Sequence, residues 1–130
     1  MKEKLHIANF VRDDKFIDSL IKFQDLSSEE CVHDYIIVSK KTILYKSIKS
    51  TNRIKVVPAS MILQFIKENN YNAVFLHSLV CMPYYYISQI HREIPVFWFA
   101  WGFDIYGYLI KVKRLHLRTI LCKYTFFPLL

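Results

Sequence analysis

The chain has 130 residues, 53% of them hydrophobic and 22% charged, which is one domain's worth of sequence and fits neither disorder nor a coiled coil. Its 2 glycines fall at 102 and 107, so neither G-x-G-x-x-G nor a P-loop can be built and no dinucleotide site of that type is expected. The net charge is +7 and unevenly placed: all 11 acids lie in residues 1–104, whereas residues 105–130 carry Lys111, Lys113, Arg114, Arg118 and Lys123 without one.

Such a basic segment fits either an anionic partner or a solvated helix face. Cys31, Cys81 and Cys122 are far apart and form no C-x-x-C pair, which argues against disulfides and zinc and for a reducing compartment. The five histidines show no metal-ligand spacing, so neither metal nor cofactor is expected. No signal peptide is recognisable, and the longest apolar stretch, Ile94 to Ile110, is broken by Pro95, Gly102, Asp104 and Gly107. The chain reads as cytosolic.

Leu5 to Phe10 reads as a first strand. Asp13 and Asp14 suit the positive start of a helix in which Phe16, Ile17, Leu20, Ile21 and Phe23 recur at helical spacing. Tyr35 to Ser39 is a buried strand. A basic connection follows from Lys40 to Arg53, with a short strand at Thr42 to Tyr45, and Ile54 to Val57 is the next strand. Pro58 fits a helix's first turn, Met61, Ile62, Phe65 and Ile66 form its inward stripe, and Asn69 and Asn70 end it.

Ala73 to Leu76 is apolar throughout and reads as the most central strand. Pro83 opens a helix through Arg92 that packs on Tyr86, Ile87 and Ile90, and Val96 to Ala100 is the last strand. The turn Trp101-Gly102-Phe103-Asp104 leads into a helix from about Ile105 to Tyr124. Strands alternating with helices predict an α/β fold, a Rossmann-like parallel sheet of five or six strands. Ligands of such sheets bind outside the strands' carboxyl ends. Two of those ends are chemically loaded here, His77-Ser78 and Trp101 to Tyr106.

No nucleophile, base and acid can be assembled in a known order. Asp104 stands in an aromatic stretch, where it either caps the following helix or meets a sugar hydroxyl and takes its proton. His77 is either hydrogen-bonded structure or a base at a strand end. Trp98, Trp101 and Tyr106 suit core or pocket wall, and Gly102 supplies a conformation or closeness that a side chain forbids. In the last helix Lys111, Arg114 and Arg118 form one positive stripe beside Ile110, Leu117, Leu121 and Tyr124. That pattern fits an interfacial helix on a membrane or an ordinary helix packed on the sheet.

His77 at a strand end, then one helix, then Phe97-Trp98 running into WGFDIY (Trp101 to Tyr106) resembles the bacterial Fuc4NAc transferases of glycosyltransferase family 56. Trp101, Gly102, Asp104 and Tyr106 fit that family's Trp-Gly-x-Asp-[Leu/Ile]-Tyr signature, and His77 falls on its strand-end histidine. Phe99 departs from it, standing where the family carries a histidine between two tryptophans. The resemblance implies an inverting glycosyltransferase of GT-B fold, moving an acetamidofucose-type sugar from a dTDP-sugar to an undecaprenyl-pyrophosphate-linked saccharide. Its place would be the cytoplasmic face of the inner membrane.

By that resemblance Asp104 and His77 are the catalytic candidates, and Trp101, Gly102, Tyr106 and Ser78 bind substrate. Lys111, Arg114 and Arg118 would contact anionic lipid or phosphate. The chain would be the N-terminal, acceptor-side domain, residues 1–130, without the C-terminal domain that holds the nucleotide-sugar. The alternatives are an inactive remnant, or a non-catalytic basic module on a membrane surface or nucleic acid. No helix-turn-helix, RRM or OB signature supports the last.

Overall fold

The computed structural model describes residues 3–100. Five strands, β1 (Leu5–Phe10), β2 (Cys31–Val38), β3 (Ile54–Val57), β4 (Ala73–Leu76) and β5 (Val96–Trp98), make one sheet in the order β3-β2-β1-β4-β5. Every neighbouring pair is parallel. With helices α1 (Ile17–Asp25), α2 (Ile62–Glu68) and α3 (Tyr84–His91) on its faces, this is a Rossmann-like α/β unit. The chain divides into two compact units, Met1–Phe99 and Ala100–Leu130; apart from Ala100, the second lies outside the described residues.

Strand alternation builds two cores. Ala8, Phe10, Ile36, Val57, Val74 and Leu76 point to one face, where Ile62 and Ile66 of α2 and Ile90 of α3 cover them. On the other face Ile17 and Ile21 of α1 pack with Val11, Tyr35, Ile37 and Ile48. The crossover direction reverses between β1, followed by α1, and β4, followed by α3. That reversal is the topological switch point, and it opens a crevice at the carboxyl ends of β1 and β4.

Several boundaries differ from expectation, each for a local reason. β2 begins at Cys31 rather than Tyr35, because pairing with β1 starts at Leu5 and Cys31 and carries Val32 and the polar His33 and Asp34 along. Thr42 to Tyr45 forms no strand. The connection is held instead by two carboxylates: Asp13 accepts from the amides of Lys46, Ser47 and Ile48, and Asp18 from those of Lys49 and Ser50. Asp13 therefore does not cap α1, and Asp14 accepts the Phe16 amide there at 3.0 Å. Burial alone would raise Asp13, but the amides outweigh it and hold the carboxyl below its usual range.

Phe16, Phe23 and Met61 are exposed, because the buried stripe of α1 runs Ile17, Ile21 and Gln24, and that of α2 runs Ile62 and Ile66. Pro58 precedes its helix in extended conformation, and Asn70 ends the following turn at φ 49°. The sheet centres on β1, with β4 beside it. β5 is an edge strand ending at Trp98, so Phe97 and Trp98 are half exposed rather than core.

At the amino end of the sheet, Asp34 Oδ2 accepts from His6 Nε2 at 2.9 Å, Lys55 Nζ at 2.8 Å and the Tyr71 hydroxyl at 2.7 Å. Burial pushes Asp34 up, but Lys55, Tyr71 and His6 more than offset it and hold the carboxyl below its usual range. The cluster ties β1, β2, β3 and the approach to β4 together, far from the strands' carboxyl ends. Asp34→Asn is expected to lower stability by about 1–2 kcal/mol, read from urea denaturation midpoints. An unchanged midpoint would show that the shape of the site, and not its charge, holds these strands.

Candidate functional site

The site is built from β1 outward. Asn9 is fully buried in β1 beside Tyr35 of β2 and Phe75 of β4, on the face that α1 covers. A buried amide must spend its hydrogen bonds, and each of these has a partner. Asn9 Nδ2 donates to the Asp34 carbonyl at 3.3 Å, which can only accept, and this fixes the orientation of the amide. Nδ2 also faces His33 Nδ1 at 3.1 Å, so that nitrogen is an acceptor.

Asn9 Oδ1 then accepts from Gln24 Nε2 and from His77 Nε2, each at 3.0 Å. His77 therefore carries its proton on Nε2, and Nδ1 is the ring's bare, accepting nitrogen. This one amide reads the tautomers of two histidines. His77 stands immediately after β4, its backbone amide donating to Phe10 at the end of β1, so it sits at the switch point. Burial, then the nearby His33, lowers its pKa to about 4, and the ring is neutral at pH 7.

Aromatic side chains extend the site towards β5. Phe99 donates its backbone amide to Leu76 and lays its ring parallel to His77, centroids 5.0 Å apart. Phe75 meets Phe97 and Phe99 edge-on at 5.5 and 5.4 Å. Phe97 and Phe99 remain about half exposed, and α1 covers only the β1–β2 part of this face. The result is an aromatic platform with a neutral imidazole at one end.

Of the residues singled out in the sequence, His77 stands just past the carboxyl end of β4, and the strand order puts that end at the switch point. Ser78 caps the 3₁₀ turn Leu79–Cys81 by accepting the Val80 amide. Asp104, Trp101, Gly102, Tyr106, Lys111, Arg114 and Arg118 lie outside the described residues. β5 stands one strand beyond β4 and does not itself flank the switch point, because the crevice opens between β1 and β4. Asn9, Gln24 and His33 were missed, though an asparagine inside the apolar run LHIANF is a readable signal.

Among the described residues no group of His, Cys, Asp and Glu could hold a metal ion, and no helix is long and apolar enough to cross a membrane. A cleft of about 360 Å³ between α2 and α3 lies at the sheet's amino end, lined by Leu63, Ile66, Lys67, Gln89, Ile90 and Glu93. Its Lys67–Glu93 pair, at 4.0 Å and largely exposed, contributes little. No family model, curated protein or solved structure matches the chain.

Proposed function

We propose that the chain is the acceptor-side domain of an inverting glycosyltransferase of GT-B type. It would move an acetamidofucose-type sugar from a dTDP-sugar to a lipid-linked saccharide at the cytoplasmic face of the membrane. The observation that carries the reading is the pairing of His77 with the platform of Phe75, Phe97 and Phe99 beside the switch point. A sugar offers apolar C–H faces and hydroxyl donors, and this arrangement offers ring faces and a bare imidazole nitrogen.

The position where the family carries a histidine is Phe99, whose ring lies on His77. Residue identity there sets the surroundings of His77, so it is a natural place for acceptor preference to vary. In the proposed reaction the acceptor oxygen attacks the anomeric carbon as its proton leaves and dTDP departs with the bonding pair. Asp104 is the proton's destination by resemblance, with Trp101, Gly102, Tyr106 and Ser78 around the acceptor. Lys111, Arg114 and Arg118 would meet the lipid pyrophosphate or headgroups, and a second α/β domain would hold the donor.

Transfer from radiolabelled dTDP-sugar to the lipid-linked saccharide, in membranes that hold the chain together with a donor-binding domain, tests this. Asp104→Asn should reduce transfer about a hundredfold while leaving the melting temperature of the purified chain unchanged. Equal loss of transfer and stability would overturn the base role and leave a helix cap. On the chain alone, an acceptor saccharide should shift the ring resonances of His77 and Phe99. Unshifted rings at saturating saccharide would overturn the platform as the acceptor site.

A further inference from the structure

The two edges of a parallel sheet are chemically different surfaces, and here they also differ in charge. Loops leaving the strands' carboxyl ends carry Arg12 and Lys15 after β1, then Lys40, Lys41, Lys46 and Lys49 after β2, all exposed. These six bases face three nearby acids, of which Asp14 accepts the Phe16 amide and Asp13 and Asp18 accept the five successive amides of Lys46 to Ser50. Those bonds pin the returning half of the β2–β3 loop to the start of α1. The tip, residues 40–45, is thereby held at the carboxyl edge.

Large apolar side chains stand at the same edge. Leu44 at the tip is 88% exposed, Val80 in the turn after β4 is 54% exposed, and Tyr84 and Tyr85 at the start of α3 are 78% and 64% exposed. Met61, before α2, is half exposed there too. The opposite edge also shows an exposed leucine, Leu26, but the bases near it are balanced by Asp25, which Arg53 pairs, and by Glu29 and Glu30. Charge separates the two. Apolar tips among lysines fit an anionic bilayer, into which leucine and tyrosine insert while lysine meets phosphate, and apolar tips among acids are repelled by it.

We infer that the carboxyl-edge loops, led by Lys40, Lys41 and Leu44, form a docking face for an anionic phospholipid surface. This deepens the membrane side of the reading above and rests on it for its purpose, yet it needs no sugar chemistry and no residue beyond 100. The face would bring the switch-point crevice up against the bilayer, where a lipid-linked ligand is presented.

The test is sedimentation of the full chain with phosphatidylcholine vesicles, with and without phosphatidylglycerol. The wild type should bind only the phosphatidylglycerol vesicles. Lys40→Gln with Lys41→Gln should weaken that binding about thirtyfold, as two surface lysines are each worth about 1 kcal/mol near such a membrane. Leu44→Glu should weaken it at least about tenfold. Leu44 is so exposed that its replacement leaves folding intact, which a circular dichroism spectrum checks. Leu26→Glu, on the other edge, should bind as wild type.

Wild-type binding by both carboxyl-edge variants would overturn the inference, and would assign any vesicle affinity to the basic segment beyond residue 104. Equal losses in the Leu26 variant, or binding indifferent to phosphatidylglycerol, would overturn it too. So would DNA binding that falls steeply with salt alongside no vesicle binding. The vesicles contain no saccharide, so sugar transfer and vesicle binding can fail independently.

Discussion

Asn9→Ala is expected to lower the stability of the described unit by about 3 kcal/mol, against a total that for a domain of this size is only about 5–15 kcal/mol. The reason is arithmetic of partners. Asn9 is fully buried, and its removal orphans the Nε2–H of His77 and the side-chain amide of Gln24 and takes a donor from Nδ1 of the half-buried His33. A buried donor left without an acceptor costs about 1–3 kcal/mol, and α1 relaxes enough to restore only some of these bonds.

Asn9→Asp makes the sharper comparison. It keeps shape and the acceptor for His77 but sets a negative charge against the ring, so the His77 pKa should rise well above about 4. Urea denaturation reads the first variant, and a nuclear magnetic resonance titration of His77 reads the second. A loss under about 1 kcal/mol for Asn9→Ala would mean that water takes over these bonds and the site is not tightly built.

The sheet was legible because hydrophobic runs of four to six residues separated by helical patterns leave few alternatives. β1, β3 and β4 stand at the expected residues, since each is bounded by charge, turn or proline. Strand order was not legible. Handedness rules fix on which side a crossover lies but not which sheet edge the next strand joins. Ala73 to Leu76 therefore read as the centre, whereas β1, with a lysine before it and an asparagine within it, holds that place.

Helical spacing groups Phe16 and Phe23 with Ile17 and Ile21, and places Met61 on an inward stripe, but helical phase decides, and α1 spends its third inward position on Gln24 to reach Asn9. In the site, His77 could be read from a strand end. Its partner, 68 positions away in sequence, could not, because only the parallel pairing of β1 with β4 brings them together. The loop after β2 was legible as basic and polar. That five of its amides are held by Asp13 and Asp18 depends on tertiary contact and leaves no local mark.

His77 also predicts how stability follows pH. Its folded pKa is about 4 and its unfolded value 6.5, so between those limits the unfolded chain binds a proton that the folded chain refuses. Stability is therefore highest above pH 6.5 and falls as the pH drops towards 4, by about 3 kcal/mol from this group alone. Below about 4 the group contributes no further loss. His33, also held down by its burial, acts in the same direction. Asp13 and Asp34, held below 3.8, lose most of their contribution at more acid pH and overlap only the acid end of this window.

His77→Gln should be less stable than wild type at pH 7 yet lose clearly less between pH 6.5 and 4, keeping only the share that His33 contributes, as seen in urea midpoints at stepped pH. Parallel curves for the two proteins, or a His77 ring titrating near 6.5, would sink the account. The neutral ring also bears on the proposed chemistry. Its Nδ1 can accept a hydrogen bond from an acceptor hydroxyl, and at about 4 its basicity is close to that of an ordinary carboxylate. In the proposed transfer His77 orients the acceptor, and Asp104 takes the proton by the resemblance.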